Sequence, residues 1–201
     1  MNRNRTLIGA LTILFFLATS MAAGDSYQGR FERTLQVSGP AELEVLTHSG
    51  DVIVRAGEAG SIRIIGKIHV ENRWLTGNKS DDVTAIEKNP PIQQSANSIR
   101  VEYLNGYRGI SIDYEITVPA DTHLRSKSGS GNLIVEGLHA NADLETGSGD
   151  VRLRDLTGEV RAHTGSGNIR ADNVSGAFDG RAGSGDIRLD EQRAIAGRDD
   201  V

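Results

Sequence analysis

The feature that most constrains the fold is a Gly-Ser-Gly triplet that returns every eighteen residues in the last third of the chain. Each triplet precedes Asn or Asp and then a short apolar–polar alternation, a pattern typical of a turn that leads into a half-buried strand. Eighteen residues leave no room for a crossover helix, so successive strands must stack on one another. The last glycine of each triplet is predicted to form a turn; these residues are Gly131, Gly149, Gly167 and Gly185.

The repeat predicts an all-β fold, a single-stranded β-solenoid (β-helix) with about 18 residues per regular coil. Glycines also fall nine residues apart inside the repeat, so each coil is expected to contain two strand–turn halves. Apolar residues at the same phase should stack as the core. One predicted stack is Leu133, Val151, Ile169 and Ile187, and a second is Val135, Leu153, Ala171 and Leu189.

The first residues are typical of a secretory signal peptide, because a basic start is followed by an apolar stretch and by small residues. Residues 1–22 are therefore predicted to be removed, which leaves no stable membrane span. A single solenoid domain is expected over 24–201, with irregular coils over 31–109 and regular coils over 110–198. The protein is therefore predicted to be exported, and to be periplasmic, associated with the outer membrane, or secreted.

One insertion, at 71–97, interrupts the strand pattern and contains Trp74, the chain's one tryptophan. A short helix is expected near 80–88, with Ser80 as its N-cap and with Val83 and Ile86 on one face.

Composition removes several classes of function. The chain has no cysteine, so it forms neither disulfides nor thiolate metal sites. Its formal charge is −5, and loss of the two arginines in residues 1–22 moves this to −7. An acidic chain is a poor partner for nucleic acid, so no nucleic-acid binding is expected.

The phrase Thr-Gly-Ser-Gly-Asp-Val-Arg-Leu at 146–153 has echoes at 164–171 and 182–189, and Glu-Ile-Thr-Val-Pro-Ala stands upstream at 115–120. In these residues the chain resembles a family of exported bacterial putative adhesins, which are built of β-strand repeats of a domain of unknown function. The resemblance covers roughly residues 31–198. It implies a role at the envelope or surface, names no ligand and supplies no catalytic residues.

Glycine–aspartate repeats can bind calcium, but here the ligand position two residues after each glycine holds a core aliphatic residue. Asp150 and Asp186 directly follow glycines, yet they alternate with Asn132 and Asn168. Because Asn and Asp both favour tight turns, turn formation is the preferred interpretation. Neither a metal nor a cofactor is expected.

Two sets of residues are candidate binding surfaces. Arg152, Arg170 and Arg188 should stack at about 4.8 Å spacing on one outward face, where they could contact an anionic polymer. The alternative is a solvated face whose charge is compensated by nearby aspartates. The aromatic set is Trp74, Tyr103, Tyr107 and Tyr114, which form either an exposed platform for a sugar or protein or a buried seal of the irregular end.

Catalysis is not predicted. The five histidines fall at different phases of the repeat, and the repeat serines belong to tight glycine turns that lack a phased base. The leading hypothesis is a non-catalytic binding or scaffolding protein, an adhesin that contacts a protein or polysaccharide at the cell envelope. The alternatives are a periplasmic accessory protein of an envelope-stress or membrane-partner system and, less favoured, a polysaccharide-active β-helix enzyme.

Overall fold

The computed structural model describes residues 28–71 and 79–190, which form fifteen strands in two sheets and one short helix. The predicted all-β fold with a single short helix is confirmed for these residues. The predicted signal peptide, Trp74 and the chain after Asp190 lie outside them. The strands are β1 (Gly29–Gln36), β2 (Glu42–Ser49), β3 (Val52–Gly57), β4 (Ser61–Val70), β5 (Ile92–Ser95), β6 (Ser98–Val101), β7 (Ile110–Pro119), β8 (His123–Ser130), β9 (Leu133–Glu136), β10 (Ala142–Ser148), β11 (Val151–Thr157), β12 (Val160–Ser166), β13 (Ile169–Ser175), β14 (Phe178–Ser184) and β15 (Ile187–Asp190), and the helix is α1 (Ser80–Lys88).

From β8 onward the strands pair in parallel with residues eighteen positions away. Val151 pairs with Ile169, and Ile169 pairs with Ile187. Alternate strands enter opposite sheets, so the chain crosses both sheets once in each repeat. The result is a stack of solenoid-like coils, each consisting of one strand in the seven-stranded sheet and one in the eight-stranded sheet.

The first part of the chain departs from this simple order. The eight-stranded sheet runs β1-β4-β7-β3-β9-β11-β13-β15, and the seven-stranded sheet runs β14-β12-β10-β8-β2-β6-β5. The coil made by β2 and β3 therefore lies between the β6–β7 coil and the β8–β9 coil, and Val52 pairs with both Tyr114 and Leu133. The prediction that each coil stacks on the coil before it in the chain is therefore wrong for β2 and β3.

Three strands at the start of the eight-stranded sheet are antiparallel, since β4 pairs antiparallel with both β1 and β7. Residues 110–119 form β7, which pairs with β4 and β3, so the eighteen-residue register begins at β8 rather than at residue 110.

The core is the narrow layer of aliphatic side chains between the two sheets. Leu133, Val151 and Ile169 are each at most 1% exposed, as the predicted stack requires. Ile187 continues the same column but is 45% exposed, because no described strand lies beyond β15.

Helix α1 forms where the sequence predicts it, and it buries Val83 and Ile86. Lys79, rather than Ser80, occupies the N-cap position, and no side chain caps the helix there. The helix packs beside β1, where the Arg30 backbone N–H donates to Glu87 Oε1 at 2.8 Å. No helix in the described ranges is both long and apolar enough to cross a membrane.

Candidate functional site

The Gly-Ser-Gly triplets form the turns between the sheets, and their backbones touch from coil to coil. Gly149 has a φ of 146°, and a Cβ there would lie 2.2 Å from the carbonyl oxygen of Gly131. Gly131, Gly167 and Gly185 repeat this geometry with φ values of 143°, 143° and 129°. These positions therefore require glycine for both backbone conformation and close approach.

The repeat serines are used structurally at the same turns. The backbone N–H of Gly131 donates to the Ser148 carbonyl oxygen at 2.9 Å, and the next triplets repeat the bond. In the described part of the chain, no histidine accepts a hydrogen bond from the side chain of a repeat serine. Instead His48 stacks on Tyr103, and His69 Nε2 lies 2.8 Å from Asp113 Oδ2.

The Asn and Asp residues after the triplets form a ladder of side-chain-to-backbone hydrogen bonds. Asn132 Oδ1 accepts the N–H of Asp150 at 3.0 Å, Asp150 Oδ1 accepts the N–H of Asn168 at 2.9 Å, and Asn168 Oδ1 accepts the N–H of Asp186 at 2.9 Å. The ladder extends backward to Asp51, whose Oδ1 accepts the N–H of Asn132. These contacts give the Asn and Asp residues that follow the triplets, which were candidate calcium ligands, a structural role in the turns. Among the described residues, no cluster of acidic or histidine side chains is suited to hold a metal ion.

The aromatic residues do not form one exposed platform. Tyr114 is only 2% exposed and packs edge-on against Phe31, with ring centroids 6.3 Å apart, and burial raises the pKa of its phenol. Tyr107 is partly buried against the core, whereas the Tyr103 ring stacks on His48 at 4.6 Å. The suggestion that Tyr114 belongs to a surface platform is wrong, because its strand position points into the core.

The predicted arginine row is present on the outer face of the eight-stranded sheet. Arg152 pairs with Arg170, and Arg170 pairs with Arg188, on neighbouring strands. Their side chains are 51%, 52% and 67% exposed, respectively. The three arginines therefore form a continuous solvent-facing row.

Each arginine in the row contacts an aspartate two residues away in the chain. The distances are 2.8 Å from Arg152 to Asp150, 2.9 Å from Arg170 to Asp172, and 2.9 Å from Arg188 to Asp190; all three join guanidinium nitrogen to carboxylate oxygen. Hydrogen bonding by Arg170 lowers the pKa of Asp172, and the same contact raises that of Arg170. Exposed pairs of this kind contribute at most about 1 kcal/mol to stability, so solutes can compete for them.

An open groove of about 440 Å³ extends the row sideways across the sheet. Its lining brings four arginines together with only two carboxylates. The lining residues are Arg55, Ile134, Glu136, Arg152, Leu153, Arg154, Arg170 and Asp172. We call this surface the arginine groove.

Arg55 and Arg154 of the arginine groove were not among the residues predicted from the sequence. Glu136 lies between them, 2.8 Å from Arg55 Nε and 3.5 Å from a guanidinium nitrogen of Arg154. Arg154 has a signal in the sequence, since it stands two residues after Arg152 and shares its outward face. Arg55 has no such signal in the sequence, because it lies near the other arginines only where β3 pairs with β9.

The opposite face of the molecule has the opposite balance of charge. A groove of about 340 Å³ on the seven-stranded sheet contains four carboxylates and two arginines. Its charged residues are Glu42, Glu44, Arg125, Asp143, Glu159 and Arg161. An anionic ligand would therefore be expected to distinguish the two faces.

Comparison with known families agrees with this architecture. The model of the Toastrack DUF4097 family matches residues 32–196. The chain belongs to this family. The resemblance to a domain of unknown function built of β-strand repeats is thereby confirmed.

Solved structures similar to this Toastrack chain come from two bacteria. A putative cell adhesion protein from Clostridium sporogenes is 11% identical, with a TM-score of 0.55 over 81% of this chain and 100% of its own. A putative adhesin from Bacteroides fragilis is also 11% identical, with a TM-score of 0.26 over 81% of this chain and 97% of its own. The Clostridium sporogenes likeness supports the fold. A comparison with curated proteins gave no match.

Proposed function

We propose that this protein is an exported, non-catalytic binding or scaffolding protein of the cell envelope, and that its arginine groove contacts an anionic polysaccharide. The observation that carries the proposal is the convergence of four arginines on one open surface whose lining contains two carboxylates, with Asp150 beside Arg152 as a third. Guanidinium groups bind carboxylate and phosphate through paired hydrogen bonds, so this surface suits a polymer that carries either group.

The ion pairs in the groove are compatible with ligand binding. They are exposed and weak, so an incoming anion can replace Asp150 or Asp172 as the arginine partner at a small cost. Strands spaced about 4.8 Å apart present their arginines at a regular interval, which suits a linear ligand more than a compact one.

An adhesin role is consistent with the family and fold. The resemblance to exported bacterial proteins and the signal-peptide pattern of residues 1–22 support a location in the periplasm, at the outer membrane or outside the cell. The similar Clostridium sporogenes chain is named as a putative cell adhesion protein, which favours the same interpretation at the level of the fold. The repeat serines act as turn residues, so the proposed function includes no catalytic step.

The binding test uses the whole chain and immobilised polygalacturonate, a carboxylate polymer, with dextran as the neutral control. We expect salt-sensitive binding to polygalacturonate alone. The double variant Arg152→Gln, Arg170→Gln should weaken it about tenfold, since it removes two exposed charge-assisted contacts of up to about 1 kcal/mol each. The matched variant Arg125→Gln, Arg161→Gln removes two arginines from the opposite face and should bind normally. Equal loss in both variants would contradict the proposed site.

Cell fractionation with an affinity tag tests location and the alternative role. Recovery in the envelope or medium, with retention by intact cells or glycans, supports an adhesin. Recovery with one stoichiometric membrane protein would instead support the accessory role. Turnover of a cell-wall or plant polysaccharide by the purified chain would contradict a non-catalytic function.

A further inference from the structure

The two ends of the coil stack are finished differently. At one end α1 lies against β1, where the Arg33 guanidinium donates to the carbonyl oxygens of Glu87 and Lys88 at 3.0 Å. At the other end β14 and β15 are the outermost described strands of their sheets. At the first end the helix therefore covers the β1 edge while β5 is the outermost strand of the other sheet, and the second end presents two sheet edges with no helix beside them in the described residues.

The apolar core emerges at the β14–β15 end. Ile187 is 45% exposed and Leu189 is 39% exposed, whereas the residues beneath them, Ile169 and Ala171, are 1% and 0% exposed. In every earlier coil of the regular stack these columns are buried. The end thus has the apolar side-chain pattern of the earlier coils, in which a further coil covers these columns.

The hydrogen-bond ladder is also unfinished at this end. Asp186 donates its backbone N–H to Asn168, as each rung does, but within the described ranges no N–H is donated to its own carboxylate. Every other rung from Asp51 to Asn168 accepts such a bond. The open edges, the apolar columns and this acceptor together form a template for another strand layer.

We propose that the β14–β15 end is an interface at which two copies of this chain meet tail to tail. At the other end α1 obstructs the addition of a strand to β1, whereas both outermost strands are open at this end among the described residues, so the pairing of like ends is favoured. Such an interface is isologous: each copy contributes the same surface, and the assembly closes as a dimer. Edge strands of the two copies then pair across the symmetry axis.

Charge on the outer face of β15 fits this arrangement. Two copies of β15 related by a twofold axis at Leu189 run antiparallel, and Arg188 of each copy then stands opposite Asp190 of the other. Opposite charges directly across an antiparallel pair are favourable, and like charges are not. The pairing also places Leu189 against its own copy, which removes exposed apolar surface from water.

Light scattering after gel filtration of the whole chain tests the proposal, and the expected mass is twice that of one chain. Arg188→Asp places only carboxylates on the outer face of β15, and Asp190→Arg places only arginines there. Each variant should weaken self-association at least tenfold. An equal mixture of the two should restore a dimer, because every crossing pair then has opposite charges.

Matched controls are Arg161→Asp and Glu159→Arg, which make the same charge changes at an ion pair on an interior coil of the other sheet. Both should remain dimeric, and circular dichroism should show that all four variants are folded. A monomeric chain at all concentrations would overturn the proposal, as would cover of this end by another part of the chain or by another protein. It would also fail if the β15 variants behaved like the controls.

Binding of polygalacturonate does not depend on this interface. A monomer that binds the polymer would refute the dimer alone, and a dimer that does not bind it would refute the proposed ligand alone.

Discussion

Replacement of Gly149 by alanine tests whether contact between coil backbones sets the stability of the stack. Two costs are expected. An alanine at a φ of 146° is strained by roughly 1–2 kcal/mol. Its Cβ would also lie 2.2 Å from the Gly131 carbonyl oxygen, so the coils must separate locally.

Separation weakens the hydrogen bonds that join the coils at this turn. The Gly131 N–H donates to the Ser148 carbonyl oxygen, and the Leu133 N–H donates to that of Asp150, both at 2.9 Å. Loss of both bonds costs about 1 kcal/mol each, which gives a total of roughly 3–4 kcal/mol for Gly149→Ala.

Two control variants separate the two costs. Gly39→Ala carries a positive φ of 96° with no atom within 4 Å of the added Cβ, so it should cost about 1–2 kcal/mol. Gly147 has no positive φ, but its Cβ would lie 2.6 Å from the Gly129 carbonyl oxygen, so Gly147→Ala should show the contact cost alone, about 2 kcal/mol. The free energy of unfolding would be measured in urea by far-ultraviolet circular dichroism. A Gly149→Ala variant no less stable than Gly39→Ala would refute the reasoning.

Three further predictions use the same unfolding assay. Thr164→Val removes a buried hydroxyl that donates to the Gly149 carbonyl oxygen at 2.9 Å, so it should cost about 1–3 kcal/mol. Ser126→Ala removes a buried hydroxyl that has no hydrogen-bond partner among the described residues, so it should be neutral or stabilising. Asn132→Ala breaks an occupied rung of the ladder and should cost about 1–2 kcal/mol, whereas Asp186→Ala in the monomer should cost far less. Because burial raises the pKa of Tyr114, the phenol ionises first in the unfolded chain; stability should be complete below about pH 10 and fall above it, and Tyr114→Phe should remove part of that fall. An unchanged alkaline slope in that variant would show that Tyr114 is not responsible.

The regular half of the fold was predictable because its sequence repeats at the period of its structure. A fixed offset between Val151 and Ile169 specifies both the strand partner and the face, so register and core followed together. Helix α1 was predictable from its apolar face and from Pro90 and Pro91 just after its last turn, which are local signals.

The irregular half was less predictable because its partners are remote in sequence. The Ser-Gly-Asp turn at 49–51 indicates a coil, but no local pattern says that β2 and β3 lie between coils formed much later in the chain. The arginine groove was only partly predictable for the same reason. Arg152 and Arg170 share a phase of the repeat, whereas Arg55 joins them only through the pairing of β3 with β9.

The placement of β2 and β3 has a consequence for the order in which the chain can fold. Val52 pairs with Leu133, which follows it by 81 residues, whereas partners in the regular coils are 18 residues apart. Closing the longer loop costs more entropy, and non-local pairing slows folding. A chain made from its N-terminus first must hold β2 and β3 without either neighbour until β6 and β7 have been synthesised, and without the second neighbour until β8 and β9 follow. Folding is therefore expected to begin in the late repeats, and the segment most exposed to misassembly during synthesis is the one that finally occupies the middle of the molecule.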